Sequence, residues 1–168
     1  MAVRITSNIS SSPSLRSLVP KNEISFRPVN QYDGTAIKRL YHADNLDVLN
    51  YLIKDSKVCG KVDLIYIDPP YNTGGAFETR DFIHAYDDKY STDEYIRFMQ
   101  VRLKLLHTLL SAEGSIYVHL DSNMVFHVKI LMDDIFGVKN FRGMITRKKC
   151  KSKNFTRKTY GNISDYIL

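Results

Sequence analysis

The run Asp68-Pro69-Pro70-Tyr71-Asn72-Thr73-Gly74-Gly75 gathers groups that can do chemistry into one short, stiff turn. It offers a carboxylate, two prolines that fix outward-pointing carbonyls, an aromatic face, and glycines that permit close approach. A flat ligand bearing an amine suits that set. The amine can donate to the Asp68 side chain and the Pro69 carbonyl while its ring stacks on Tyr71. The plainer reading is that Pro69-Pro70 only ends a strand and Tyr71 packs on the surface. These residues alone leave both readings open.

A strand must deliver this turn. Val62 to Ile67 is almost continuously apolar, as a central parallel strand covered on both faces would be, and two prolines cannot continue its ladder. In open α/β sheets ligands sit beyond the carboxyl ends of strands, which is where Asp68 falls. Upstream, the pattern predicts a short strand at Leu40 to Ala43 and a helix from Leu46 to Ile53. Downstream, after a polar loop, Ser91 and Glu94 have the spacing of a capping box. The helix they open carries Tyr95, Phe98, Met99, Leu105, Leu106, Leu109 and Leu110 at helical spacing and is expected to reach about Ala112, with Gly114 breaking it. Ser115 to Leu120 reads as a strand, Val125 to Phe136 as a helix closed by Gly137, and Phe141 to Thr146 as a further strand. Alternating strands and helices imply an α/β sheet with right-handed crossovers.

The first 22 residues are rich in serine, contain no acidic side chain and lack periodicity, and read as a disordered tail. Ordered chain is expected from Thr35 to Leu168, with residues 1–34 an irregular tail. The tail has a transit peptide's composition without a clear amphipathic face. No stretch approaches the roughly 20 apolar residues of a membrane span. Cys59 and Cys150 stand apart, giving neither a zinc pattern nor a disulfide framework, and a reducing cytoplasm fits best. The histidines (His42, His84, His107, His119, His127) show no metal-ligand spacing and read as structural or surface residues.

Of a net charge of +6, eight positive charges fall between Arg142 and Lys158 with no acid among them, which leaves the remainder at −2. The basic residues Arg147, Lys148, Lys149, Lys151, Lys153, Arg157 and Lys158 form a stretch suited to a polyanion, although a solvated loop has the same composition. Arg97, Arg102 and Lys104 on the long helix read as a solvated face.

Ile67 to Gly74, IDPPYNTG, resembles the catalytic motif of DNA methyltransferases that act on exocyclic base amines, in the permuted class where this motif precedes the cofactor's glycine loop. ADNLDVL at Ala43 to Leu49, the segment Phe98 to Asp121, LMDDIFGVKNF at Leu131 to Phe141 and YGNISDYIL at Tyr160 to Leu168 resemble the same family. The likeness is close to modification subunits of type III restriction systems. It implies a partial Rossmann-like S-adenosylmethionine-dependent methyltransferase fold, a mostly parallel sheet with flanking helices. It also implies a reaction: a base of double-stranded DNA is flipped out, Asp68 and the Pro69 carbonyl hold its amine within the Asp68-Pro69-Pro70-Tyr71 motif, and Tyr71 stacks on the ring. The methyl group of S-adenosylmethionine would then pass by direct in-line displacement, with no covalent intermediate and no metal.

Asp68 in place of serine favours adenine over cytosine within this resemblance. Asp44 and Asn45 match the segment beside the cofactor's adenosine, with Ala43 where the family usually has glycine, and an N-cap for the following helix is an equal reading. The basic stretch would contact the DNA backbone, setting affinity without sequence preference.

The resemblance also carries an expectation of incompleteness. The permuted class has its target-recognition region and Gly-x-Gly cofactor loop after the catalytic half, and none of the eight glycines forms such a loop. The sheet is expected to be incomplete at the C-terminus and the chain to be a catalytic half, completed by a missing C-terminal half or partner, with a restriction subunit as a further partner in a prokaryotic or phage cytoplasm. The competing reading is a non-catalytic DNA-binding or vestigial fragment. Methylation of RNA or of protein glutamine shares the Pro-Pro-Tyr logic but not the flanks.

Overall fold

The computed structural model describes residues 2–3, 39–72, 76–78, 84–87, 90–149 and 163–168. Its elements run β1 (Ala2–Val3), α1 (Asn45–Leu52), β2 (Val62–Ile67), β3 (Ala76–Glu78), β4 (His84–Asp87), α2 (Thr92–Leu109), β5 (Leu110–Leu120), α3 (Val125–Phe136), a 3-10 turn (Val138–Asn140), β6 (Ile145–Lys148) and β7 (Ser164–Ile167). The main sheet has the order β1-β2-β5-β7-β6. β1, β2 and β5 are parallel, whereas β7 runs antiparallel to both β5 and β6. The result is a mixed α/β sheet, parallel where α2 connects β2 to β5.

Each helix starts for a local reason. Asp44 caps α1 by accepting the Leu46 N–H at 2.8 Å. At α2 the capping box is complete: Ser91 Oγ accepts the Glu94 N–H at 3.3 Å and Glu94 Oε2 accepts the Ser91 N–H at 2.9 Å. Asp121 accepts the Asn123 N–H at 2.9 Å just ahead of α3. The helices bury Val48, Leu49 and Leu52, then Tyr95, Met99, Leu103, Leu106 and Leu109, then Val125, Val128 and Leu131, in one core with Ile65 and Val118. Each such side chain contributes about 1.5–3 kcal/mol by leaving water.

Several expectations are corrected. Leu40 to Ala43 is no strand: Tyr41 makes an isolated bridge, because Asp44 already opens α1. α2 stops at Leu109 rather than Ala112, since Leu110 pairs with Val62 and draws the chain into β5. Gly114 lies inside that strand, and a Cβ there would sit 2.6 Å from the Val62 carbonyl oxygen and 2.8 Å from Leu110 Cγ, so it serves close packing rather than helix termination. The predicted strand at Phe141 to Thr146 forms at Ile145–Lys148 instead. The polar loop after Tyr71 contains the antiparallel ribbon β3–β4. β2 is covered on one face only among the described residues: Ile65 is buried, but Leu64 and Tyr66 are about half exposed. Ala2–Val3 of the tail pairs with β2, and residues 4–38 lie outside the described residues.

Candidate active site

Asp68 is the first residue past β2, and its side chain is 57% exposed at the carboxyl edge of the parallel strands. The turn that follows is fastened to α2. The Tyr95 hydroxyl donates to the Pro70 carbonyl at 2.7 Å. Asn72, in the left-handed region with φ of 53°, accepts the Tyr90 N–H on its Oδ1 at 2.9 Å. Tyr90 in turn stacks on Phe98 with ring centroids 5.7 Å apart. Burial first, then the Asp68 carboxylate beside its hydroxyl, push the Tyr71 phenol well above the ordinary tyrosine range. It therefore stays a donor and holds Asp68 from one side. Residues 73–75 lie outside the described residues.

Behind Asp68 the register assembles a second set of groups. Tyr66 pairs with Tyr117 in the parallel ladder, so His119, two residues on, lies on the same sheet face as Tyr66. Across β5 and β7, His119 pairs with Ile167, which puts Asp165 on that face too, and Asp165 pairs with Arg147 of β6. The Tyr66 hydroxyl is 3.1 Å from His119 Nδ1, and Asp68 Oδ1 is 3.7 Å from the same nitrogen. Asp165 Oδ2 is 3.6 Å from His119 Nε2. The Tyr71 ring meets the imidazole edge-on with centroids 5.8 Å apart. Asp165 is buried, takes a hydrogen bond from Arg147 at 3.2 Å, and has Lys149 Nζ 2.9 Å from Oδ1 as an ion pair not aligned for a hydrogen bond. Nearby Asp121 is also buried, which pushes its carboxyl above the usual range.

A second corner lies at the start of α1. Arg102 Nε donates to Asn45 Oδ1 at 2.7 Å, its Nη2 is 3.6 Å from Asp44 Oδ1, and its guanidinium lies 3.6 Å over the Phe98 ring. Phe98 and Tyr90 thus link this corner to the Asp68 turn through one face of α2. The arrangement can hold an amine on Asp68 and hydrogen-bond a second polar group at Asp44.

Residues 62–168 match the model of a family described as DNA methylase, of the N6/N4 methyltransferase type. The chain belongs to that family. Among its relatives, the type II methyltransferase M.EcaI of Enterobacter cloacae is 45% identical over 126 residues, 75% of this chain and 27% of that protein. The probable type III restriction-modification enzyme HindVI Mod subunit of Haemophilus influenzae is 43% identical over 118 residues, 69% of this chain and 15% of that protein. The type II methyltransferase M.KpnI of Klebsiella pneumoniae is 32% identical over 153 residues, 88% of this chain and 35% of that protein. The chain thus spans roughly a third or less of the length of these relatives.

Within this chain the structure brings Asp68, Pro69, Pro70 and Tyr71 together at one strand end and places Asp44 and Asn45 at the α1 corner. Of the basic stretch, Lys148 is exposed on β6, while Arg147 and Lys149 point to Asp165 and keep 55% and 31% of their side chains exposed. Lys151, Lys153, Arg157 and Lys158 lie outside the described residues. Arg97 and Lys104 are exposed as expected.

Arg102 is not a solvated residue. Only 13% of its side chain is exposed, and desolvation lowers its guanidinium to about 10 despite Asp44. Arg102→Met should keep the packing on Phe98 but strand Asn45. We expect a loss of about 1–3 kcal/mol in chemical denaturation, more than for the exposed Arg97→Met.

His119 and Asp165 are the site residues that sequence reasoning missed. The available signal was that Val-His-Leu-Asp ends a second apolar strand on the same edge as Asp68. Asp165 had no local signal.

Proposed function

We propose that the protein transfers a methyl group from S-adenosylmethionine to the exocyclic amine of a flipped base in double-stranded DNA, with adenine as the base. The carrying observation is the Asp68 carboxylate, exposed at the strand end and flanked by a turn that Tyr95 and Asn72 hold rigid. Asp68 and the Pro69 carbonyl accept the two N–H bonds of the amine, which turns its lone pair out of conjugation with the ring and toward the methyl carbon. Tyr71 supplies the stacking surface, and Pro70, fastened to Tyr95, keeps the backbone from yielding. Preorganised acceptors of this kind lower a barrier without reorganising during the reaction.

The donor set fits the adenosine end of the cofactor: Asp44 keeps a 42% exposed carboxylate while capping α1, and Arg102 fixes Asn45 beside it. When bound, the cofactor supplies an activated methyl group. In this reading the chain forms part of a Rossmann-like methyltransferase domain from about residue 35 onward, and the exposed Lys148 with Lys151, Lys153, Arg157 and Lys158 meets DNA phosphates. Arg147 and Lys149 join them with the part of their side chains that Asp165 leaves exposed. Restriction-modification relatives support a cytoplasmic setting and a restriction subunit as partner.

The test is transfer of isotope-labelled methyl from S-adenosylmethionine to DNA, followed by digestion to nucleosides. Label in N6-methyl-2′-deoxyadenosine is expected. Label in N4-methyl-2′-deoxycytidine would replace the adenine assignment, and no labelled nucleoside would overturn the reading.

A further inference from the structure

Methylation leaves the amine nitrogen with one proton too many, and the groups behind Asp68 offer a route for it. Burial, with Asp68 second, pushes the Tyr66 phenol above its ordinary range, and its hydroxyl lies 3.1 Å from His119 Nδ1, where it donates or accepts according to the imidazole tautomer. The tautomer that suits these neighbours has its proton on Nε2, toward the Asp165 carboxylate, and leaves Nδ1 as the acceptor. Nε2 is buried, has no hydrogen-bond partner among the described residues, and faces Asp165 Oδ2 at 3.6 Å. In that tautomer the Nδ1 lone pair faces both the Tyr66 hydroxyl at 3.1 Å and Asp68 Oδ1 at 3.7 Å. A buried carboxylate that fixes an imidazole tautomer, with the other nitrogen turned to the reacting group, is the arrangement of a general base.

We propose that His119 receives, through Asp68, the proton released from the methylated amine, an inference that rests on the methyltransferase reading above. The N–H bond of the methylated ammonium breaks, its electron pair stays on nitrogen, and the proton passes to an Asp68 oxygen. Asp68 then gives that proton to His119 Nδ1 and returns to a carboxylate. The resulting imidazolium faces Asp68 at one nitrogen and Asp165 at the other. The present 3.7 Å between Asp68 Oδ1 and Nδ1 is longer than a hydrogen bond, and such contacts tighten in substrate complexes. The other groups facing the ring are Tyr66 of β2, Tyr71 of the turn, and Arg147 and Lys149 of the β6 side across Asp165, with Asp121 two residues along β5. His119 acts through Asp68 and is a positioning and proton-accepting residue.

Two measurements on the full chain test this. Long-range 1H–15N spectra should show the Nε2–H tautomer, and a neutral Nδ1–H ring would overturn the proposal whatever the methylation assay gives. In single-turnover methylation, His119→Gln should lower the rate about 10²-fold with cofactor and DNA affinity within about twofold. Added imidazole should restore part of the rate to His119→Ala. A His119→Gln protein with the wild-type rate overturns the relay alone, since Asp68 would then release the proton directly to water. A folded wild type that methylates nothing overturns the methyltransferase reading and the relay with it.

Discussion

Asp68→Ala is expected to lower single-turnover methyl transfer on the order of 10³-fold while leaving DNA affinity within about twofold. The carboxylate is 57% exposed at the strand end, so its loss should leave the fold intact. Its partners in the site are the Tyr71 hydroxyl and, at longer range, His119. What alanine removes is an acceptor for the amine, and with it the force that turns the nitrogen lone pair toward the methyl carbon. In the proposed reading DNA affinity would rest on phosphate contacts whose strength follows salt, and Asp68 would make none of them. Single-turnover rates and a salt titration of DNA binding, run on the same preparations, separate the two effects. Methylation intact in Asp68→Ala would remove Asp68 from the chemistry.

Much of the frame that presents Asp68 was legible from local pattern. β2 keeps the bounds Val62 to Ile67 because an apolar run between Lys61 and Asp68-Pro69 has few other registers. α2 starts at its capping box because Ser91 and Glu94 satisfy each other without tertiary help. Where two local solutions competed, tertiary pairing decided: the leucines from Leu105 to Leu110 suit a helix or a strand, and Val62 claims Leu110 for β5. The β7 reversal and the Asp165 contact to His119 join residues 46 positions apart, and no spacing rule encodes that register. Arg102 was misread for a related reason. On the helix it is one cation among several, and only the approach of α1 with Asn45 turns it inward.

Tyr71 carries the second large expected effect, and two substitutions divide its roles. Tyr71→Ala should lower kcat/KM about 10- to 100-fold, in keeping with the roughly 1–3 kcal/mol of a base stacked on an aromatic ring. The half-buried ring also fills space against His119, so alanine should loosen the imidazole as well. Tyr71→Phe keeps the ring and that edge contact but deletes the hydroxyl that donates to Asp68. Freed of this donor, the carboxylate loses one constraint on its orientation, and the expected loss is smaller, about 3- to 10-fold, or roughly the 1 kcal/mol of one hydrogen bond, and confined to kcat. The alanine loss should appear in KM for DNA as well, because the flipped base is then bound less tightly before reaction. Fluorescence of 2-aminopurine at the target position follows flipping directly: it should fall in the alanine variant and persist in the phenylalanine one. Equal losses in both variants would mean that the hydroxyl on Asp68, rather than the ring, is what the site uses. Tyr71 would then be a support for the carboxylate, and the stacking surface would have to come from another aromatic side chain of the site.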